Sequence, residues 1–123
     1  VRIHKLDHVQ LAMPPGEEAR ATAFYEGVLG IPRVPKPPRL AERGGCWFED
    51  AGVKVHLGAD PGFRPAQKAH PALVVDDLPA LVAVLEAAGH PVRHDGAHGG
   101  YARAYVDDPF GNRIELMGAI PGG

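Results

Sequence analysis

The sequence predicts an α+β protein of two βαβββ units, whose strands form a curled mixed sheet with the helices on its convex face. Three observations predict it. The first is an internal repeat. Asp7-His8-Val9-Gln10-Leu11-Ala12-Met13 is answered by Ala69-His70-Pro71-Ala72-Leu73-Val74-Val75, with the histidines 62 positions apart. Leu29-Gly30-Ile31-Pro32 is answered by Ala88-Gly89-His90-Pro91, and Gly52-Val53-Lys54-Val55-His56-Leu57 by Gly111-Asn112-Arg113-Ile114-Glu115-Leu116, both at an offset of 59. The second is the order within each copy, which reads strand, helix, three strands. The third is punctuation. The 16 Gly and 13 Pro of this 123-residue chain are spread between short apolar runs, as turns between short elements require.

In the first copy, Leu6 to Met13 alternates, with Val9, Leu11 and Met13 on one face and His8 and Gln10 on the other. Pro14-Pro15-Gly16 stops it. Glu17 to Leu29 reads as a helix with acids in its first turn and an apolar stripe of Ala21, Phe24 and Val28, closed by Gly30. Ile31 to Leu40 is proline-rich, so a strand there is short or at an edge. Cys46–Glu49 and Val53–Leu57 form a hairpin across Asp50-Ala51.

The second copy repeats the plan. His70 to Val75 is its first strand and Asp77 its helix N-cap. Leu78, Leu81, Val82, Leu85 and Ala88 carry helical spacing. His94 to Gly100 reads as a mobile, Gly-rich loop. Tyr101–Asp107 and Asn112–Met117 make the last hairpin, joined at Asp108-Pro109-Phe110-Gly111, which fits a type I turn. The expected organisation is one domain, residues 1–123, with unit one about 1–58, a linker 59–67 and unit two about 68–123.

Composition removes several function classes. The charges nearly balance, 13 basic against 15 acidic, so no nucleic-acid partner is expected. No run of apolar residues approaches the length of a membrane span. There is no serine, which excludes a serine nucleophile, and Cys46 is the single cysteine, which excludes a disulfide and cysteine-rich zinc sites. The cysteine usage points to the cytoplasm.

Strand parity then selects candidates among the seven histidines. Val53, Val55 and Leu57 pack on the helices, so Lys54 and His56 point the other way. Ile114 and Leu116 do the same on the last strand, turning Arg113, Glu115 and Met117 outward. His8 and His70 share that helix-free face. Three imidazoles and a carboxylate at repeat-matched positions suit a divalent ion: Zn²⁺, Ni²⁺, Co²⁺, Fe²⁺ or Mn²⁺.

Leu6-Asp7-His8-Val9, Phe24-Tyr25-Glu26-Gly27-Val28-Leu29-Gly30, the His70 strand and Asp108-Pro109-Phe110-Gly111-Asn112-Arg113-Ile114-Glu115-Leu116 resemble the vicinal-oxygen-chelate superfamily of glyoxalase I, fosfomycin- and bleomycin-resistance proteins, methylmalonyl-CoA epimerase and extradiol dioxygenases. The resemblance covers nearly the whole chain. It implies the corresponding fold and metal ligands from the first and fourth strands of each unit, at His8, His56, His70 and Glu115. Glyoxalase I carries a glutamate where this chain has His56. Extradiol dioxygenases share the set matching His8, His70 and Glu115. The implied activity is a metal-dependent lyase or isomerase of glyoxalase type acting on a small oxygen-chelating substrate, with Glu115 as general base. Its alternatives are a non-catalytic drug- or metabolite-binding protein and an Fe²⁺ ring-cleaving dioxygenase.

Further candidates line the same cleft. Tyr101, Arg103 and Tyr105 share one parity on the seventh strand, where Arg103 could hold a substrate anion and Tyr105 donate a proton. Gln10 and Trp47 complete the substrate-binding set, although core packing is the commoner role of such a tryptophan. Cys46 reads as a buried structural thiol. His4, His90, His94 and His98 read as solvated. Open sheet edges predict a homodimer.

Overall fold

The computed structural model describes residues 1–121, so the end of the expected second unit lies outside the described residues. The chain divides into two compact units, the first ending at Arg64 and the second beginning at Pro65.

Unit one contains β1 (Val9–Met13), α1 (Glu18–Tyr25), β2 (Arg33–Val34), α2 (Pro38–Ala41), β3 (Cys46–Asp50) and β4 (Val53–Ala59). Its sheet order is β1-β4-β3-β2, with β1 and β4 parallel and the other pairs antiparallel. The core lies between the sheet and α1. Met13, Cys46, Phe48, Val55 and Leu57 are buried there with Ala21, Phe24 and Tyr25. The Tyr25 ring stacks on Phe48 at 5.3 Å, fixing α1 on that face.

Unit two contains β5 (Ala72–Val75), α3 (Leu78–Ala87), β6 (Arg93–His98), β7 (Tyr101–Asp107) and β8 (Arg113–Ala119) in the order β5-β8-β7-β6. The Asp77 side chain caps α3, accepting from the Ala80 amide at 3.1 Å. Leu78, Val82 and Leu85 pack with Ala104, Val106, Ile114 and Leu116. Gly118 gives α3 its close approach, since a Cβ there would stand 2.5 Å from Leu78 Cβ.

Registers restate the repeat. Gln10 stands opposite His56 on parallel strands in unit one, and Ala72 opposite Glu115 in unit two. On the other side, Trp47 pairs with His56 and Tyr105 with Glu115. The turn before β8 carries side-chain bonds beyond its own Gly111 N–H to Asp108 O bond at 3.1 Å. The Asp108 carboxylate accepts from the Phe110 and Asn112 amides, both at 2.9 Å, and from the Asn112 side chain at 2.8 Å. That pinning sets the register that aims Glu115.

Three expectations need correction, and a fourth is met with an addition. The first strands are shorter than read, so His8 and His70 precede β1 and β5 instead of lying on them. α1 ends at Tyr25, where the chain closes wider turns such as Gly27 N–H to Thr22 O, and Leu29 N–H to Phe24 O. The proline tract makes the expected short edge strand, the two-residue β2, and adds the short α2, whose first residue is Pro38, a position where the missing N–H costs nothing. Residues 93–98 are not a loop. They form β6, an exposed edge strand with a register shift between Asp95 and His98, joined to β7 by Gly99-Gly100. Its polar side chains blunt the edge instead of marking a loop.

Candidate functional site

The structure brings the four predicted ligands together as two pairs, one in each unit. Among the described residues, no three or more His, Cys, Asp or Glu side chains gather around one point as a metal cluster.

In unit two, the Glu115 amide donates to Pro71 O at 3.0 Å, which fixes β8 against the chain just after His70. The His70 ring then meets Glu115, with Nε2 at 3.0 Å from Oε1. His70 Nδ1 lies 2.8 Å from the Lys68 carbonyl. A carbonyl only accepts, so Nδ1 carries the proton. The Nε2 lone pair of the neutral ring therefore faces a carboxylate oxygen, a contact that is favourable only with a cation, a proton or a metal ion, at that nitrogen.

Glu115 is buried beneath its neighbours. Tyr105, directly opposite on β7, places its hydroxyl 3.5 Å from Oε1 and its ring edge-on to His70 at 5.5 Å. Arg103 Nη1 stands 3.6 Å from Oε2. The guanidinium is further held by Asp95 Oδ2 at 2.7 Å and Gly96 O at 3.1 Å. The Gly96 amide and then the Arg103 hydrogen bond hold the Asp95 carboxyl below the usual range, and Asp95 in turn pushes Arg103 up. Arg103 thus braces Glu115. Tyr101 is not in this group, for it pairs with Ala119 and His98 at the far end of β7.

In unit one, His8 and His56 stack at 4.3 Å, and Trp47 stacks on His56 at 4.1 Å with planes 5° apart. This makes His56 the middle of a three-ring stack and explains why a residue on the helix-free face is buried. Trp47 belongs to that face, not to the core. His56 Nε2 lies 2.7 Å from Glu49 Oε2, and His8 Nδ1 3.0 Å from Asp7 Oδ2. The His8 hydrogen bond, with the Lys54 charge, holds the Asp7 carboxyl below its ordinary value. Gln10 is exposed, its amide lying over Gly58, whose missing side chain leaves the room. Near-parallel rings direct their in-plane lone pairs side by side, so His8 and His56 reach one ion only if a ring turns.

The chemistry of the donor set fits a metal. Ligating histidines hold their second ring nitrogen on an outer oxygen acceptor. All three histidines do so here: His8 on Asp7, His56 on Glu49 and His70 on the Lys68 carbonyl. The sequence reasoning missed Glu49, although its parity with Trp47 places it beside His56. It also missed Asp7, a near neighbour of His8 in the chain, and Asp95, which β6 carries opposite Arg103.

A groove of about 590 Å³ in unit two is a different place. It is lined by Leu78, Val82, His94, Ala102 and Ile120 on the α3 side, opposite in parity to Arg103 and Glu115. Cys46 is buried against α1, and burial pushes its thiol up.

The model of the Glyoxalase/Bleomycin resistance protein/Dioxygenase superfamily matches residues 5–116. The chain belongs to this superfamily. Among solved structures, a glyoxalase family protein from Bacillus anthracis is similar at 42% identity, covering 98% of each chain with a TM-score of 0.92. The fosfomycin resistance protein FosX from Listeria monocytogenes shares the fold at 15% identity, over 97% of this chain and 96% of that one, with a TM-score of 0.75. TnmS3, an antibiotic binding protein from Streptomyces sp. CB03234, shares it at 20% identity, over 97% and 100%, with a TM-score of 0.73. A search of curated proteins finds no match. The resemblance read from the sequence is thus confirmed at superfamily level, as is the two-unit fold. Among the described residues, no helix is long and apolar enough to cross a membrane.

Proposed function

We propose that this superfamily member is a cytoplasmic, homodimeric, metal-dependent enzyme of glyoxalase type, a lyase or isomerase of a small substrate with neighbouring oxygens. The observation that carries the reading is the His70–Glu115 contact, in which Nε2 of a ring whose Nδ1 is held by a backbone carbonyl faces a buried carboxylate at 3.0 Å. His8, His56, His70 and Glu115 would hold the ion. A bound divalent ion would polarise the substrate oxygens as a Lewis acid. Glu115 accepts the proton from the carbon beside the carbonyl. Arg103 keeps that carboxylate oriented, and the Tyr105 hydroxyl donates to it and is placed to hand a proton on. Arg103 has little left for substrate, since Asp95, Gly96 and Glu115 occupy its fork.

One observation favours a second reading, a non-catalytic binding protein. The Trp47–His56–His8 stack offers a flat aromatic surface, and TnmS3, which shares the fold, is an antibiotic binding protein.

The deciding experiment compares wild type with Glu115→Gln on 2-oxoaldehyde–thiol adducts, acyl-CoA epimers and catechols. Turnover by wild type that Glu115→Gln abolishes while retaining its metal supports the enzyme. No turnover of any of these, with tight binding of an aromatic drug that Glu115→Gln leaves unchanged, favours sequestration.

A further inference from the structure

Arg113 is a cation on the helix-free face of unit two that, among the described residues, has no carboxylate partner. It lies two residues before Glu115 on β8, so both side chains take the same side of the sheet. Its cross-strand neighbour is Asp107. Opposite charges directly across a strand pair normally meet. Here Asp107 gives its carboxylate to Arg93 instead, at 3.1 Å. Arg113 turns inward over the Tyr105 ring, its guanidinium carbon 5.7 Å from the centroid. Among the described residues, no carboxylate lies within ion-pair distance of it. Arg93 and Arg103, the other arginines of this face, are spent, Arg93 on Asp107 and Arg103 on Asp95, Gly96 and Glu115.

We propose that Arg113 is the anion anchor of the substrate site, and that the substrate is a short organic acid whose carboxylate or phosphate group rests on this guanidinium. The inference deepens the functional reading above and rests on it for the role of Glu115. Three features support it. The cation–π contact holds the guanidinium in place without neutralising it, so its planar fork stays open to a bidentate anion. Tyr105 links the two ends of the site, since its ring carries Arg113 and its hydroxyl reaches Glu115. Residues two apart on a strand are separated by roughly 7 Å. That spacing suits a small acid, with its anion at Arg113 and its reacting carbon near Glu115.

The test is a titration of the full chain with inorganic phosphate and, separately, with acetate, followed by NMR of the arginine Nε–H signals. Metal content is measured on the same samples. Arg113→Gln and Arg113→Lys both keep a side chain long enough to cover Tyr105. Arg39→Gln, on α2 of unit one, is the control for a surface arginine. Wild type is expected to bind saturably with the Arg113 signal moving. Arg113→Gln should weaken binding at least tenfold, Arg113→Lys by less, and Arg39→Gln not at all. Metal content should be the same in all four. Arg113→Gln binding as tightly as wild type, or Arg39→Gln losing as much, overturns the anchor whatever the metal content. Loss confined to Arg113 variants in a chain that holds no metal leaves the anchor standing and overturns the metal-dependent reading instead.

Discussion

Replacing Glu49 by Gln should weaken metal binding although Glu49 is not a proposed ligand. Its carboxylate lies 2.7 Å from His56 Nε2, and the His56 side chain is only 5% exposed, enclosed by Trp47 and His8. The carboxylate requires the proton on Nε2, which leaves Nδ1 with the lone pair. An amide oxygen can accept the same bond but without charge, and its NH₂ can equally select the wrong tautomer. Hydrogen bonds to charged groups contribute about 1.5–3 kcal/mol against about 1 for neutral ones. The metal-free variant should therefore lose about 1 kcal/mol, a fall of about 4 °C in Tm for a chain of this size. Loss of an outer-oxygen partner weakens metal affinity about 10–100-fold, or roughly 1.4–2.8 kcal/mol. Competition against a chromophoric chelator reads the affinity and calorimetry reads Tm. A Glu49→Gln protein that melts lower yet binds metal as tightly as wild type would refute the reasoning, because His56 orientation would then not matter to the ion.

Gly118→Ala places a Cβ 2.5 Å from Leu78 Cβ at the first residue of α3, and should cost about 1–3 kcal/mol as overpacking. An unchanged urea midpoint would show that α3 does not rest on Gly118. Cys46, 1% exposed with its thiol pushed up by burial, should resist a thiol reagent at pH 8 until the protein unfolds. Below the ordinary thiol value it has no effect on stability; above it the unfolded chain ionises first, so stability falls as pH rises. Sedimentation at micromolar concentration should give a dimer, covering Val74 on the edge strand β5, 64% exposed, and Val84 on α3, 49% exposed. A 13.1 kDa species alone would contradict it.

The fold was legible because period and punctuation agreed. The hairpins Cys46–Asp50/Val53–Ala59 and Tyr101–Asp107/Arg113–Ala119 lie where alternation and the Asp108 turn put them. β6 was not legible, because all its side chains are exposed and an edge strand with no buried face leaves no alternation to read. α2 was hidden by prolines that read as strand breakers. At the site, parity put Glu115, Tyr105 and Arg103 on one face, and it also held the sign of Glu49, which shares the parity of Trp47 on a strand whose faces were not assigned. The stacking of Trp47 on His56 follows from the β3–β4 register, which no single-strand pattern contains. Tyr101 shares the parity of Tyr105 but not its place along the strand, and parity alone carries no such distance.

The most direct test of the account is the divalent-metal content of the purified chain, compared between wild type and His70→Ala with their folds checked by circular dichroism. His70 supplies the nitrogen that faces Glu115, and its removal leaves the carboxylate with Arg103 and Tyr105 alone. A stoichiometric, tightly held ion is expected in wild type and its loss in a folded His70→Ala protein, with Glu115→Ala behaving alike. Equal metal content in wild type and both variants would contradict the proposed centre.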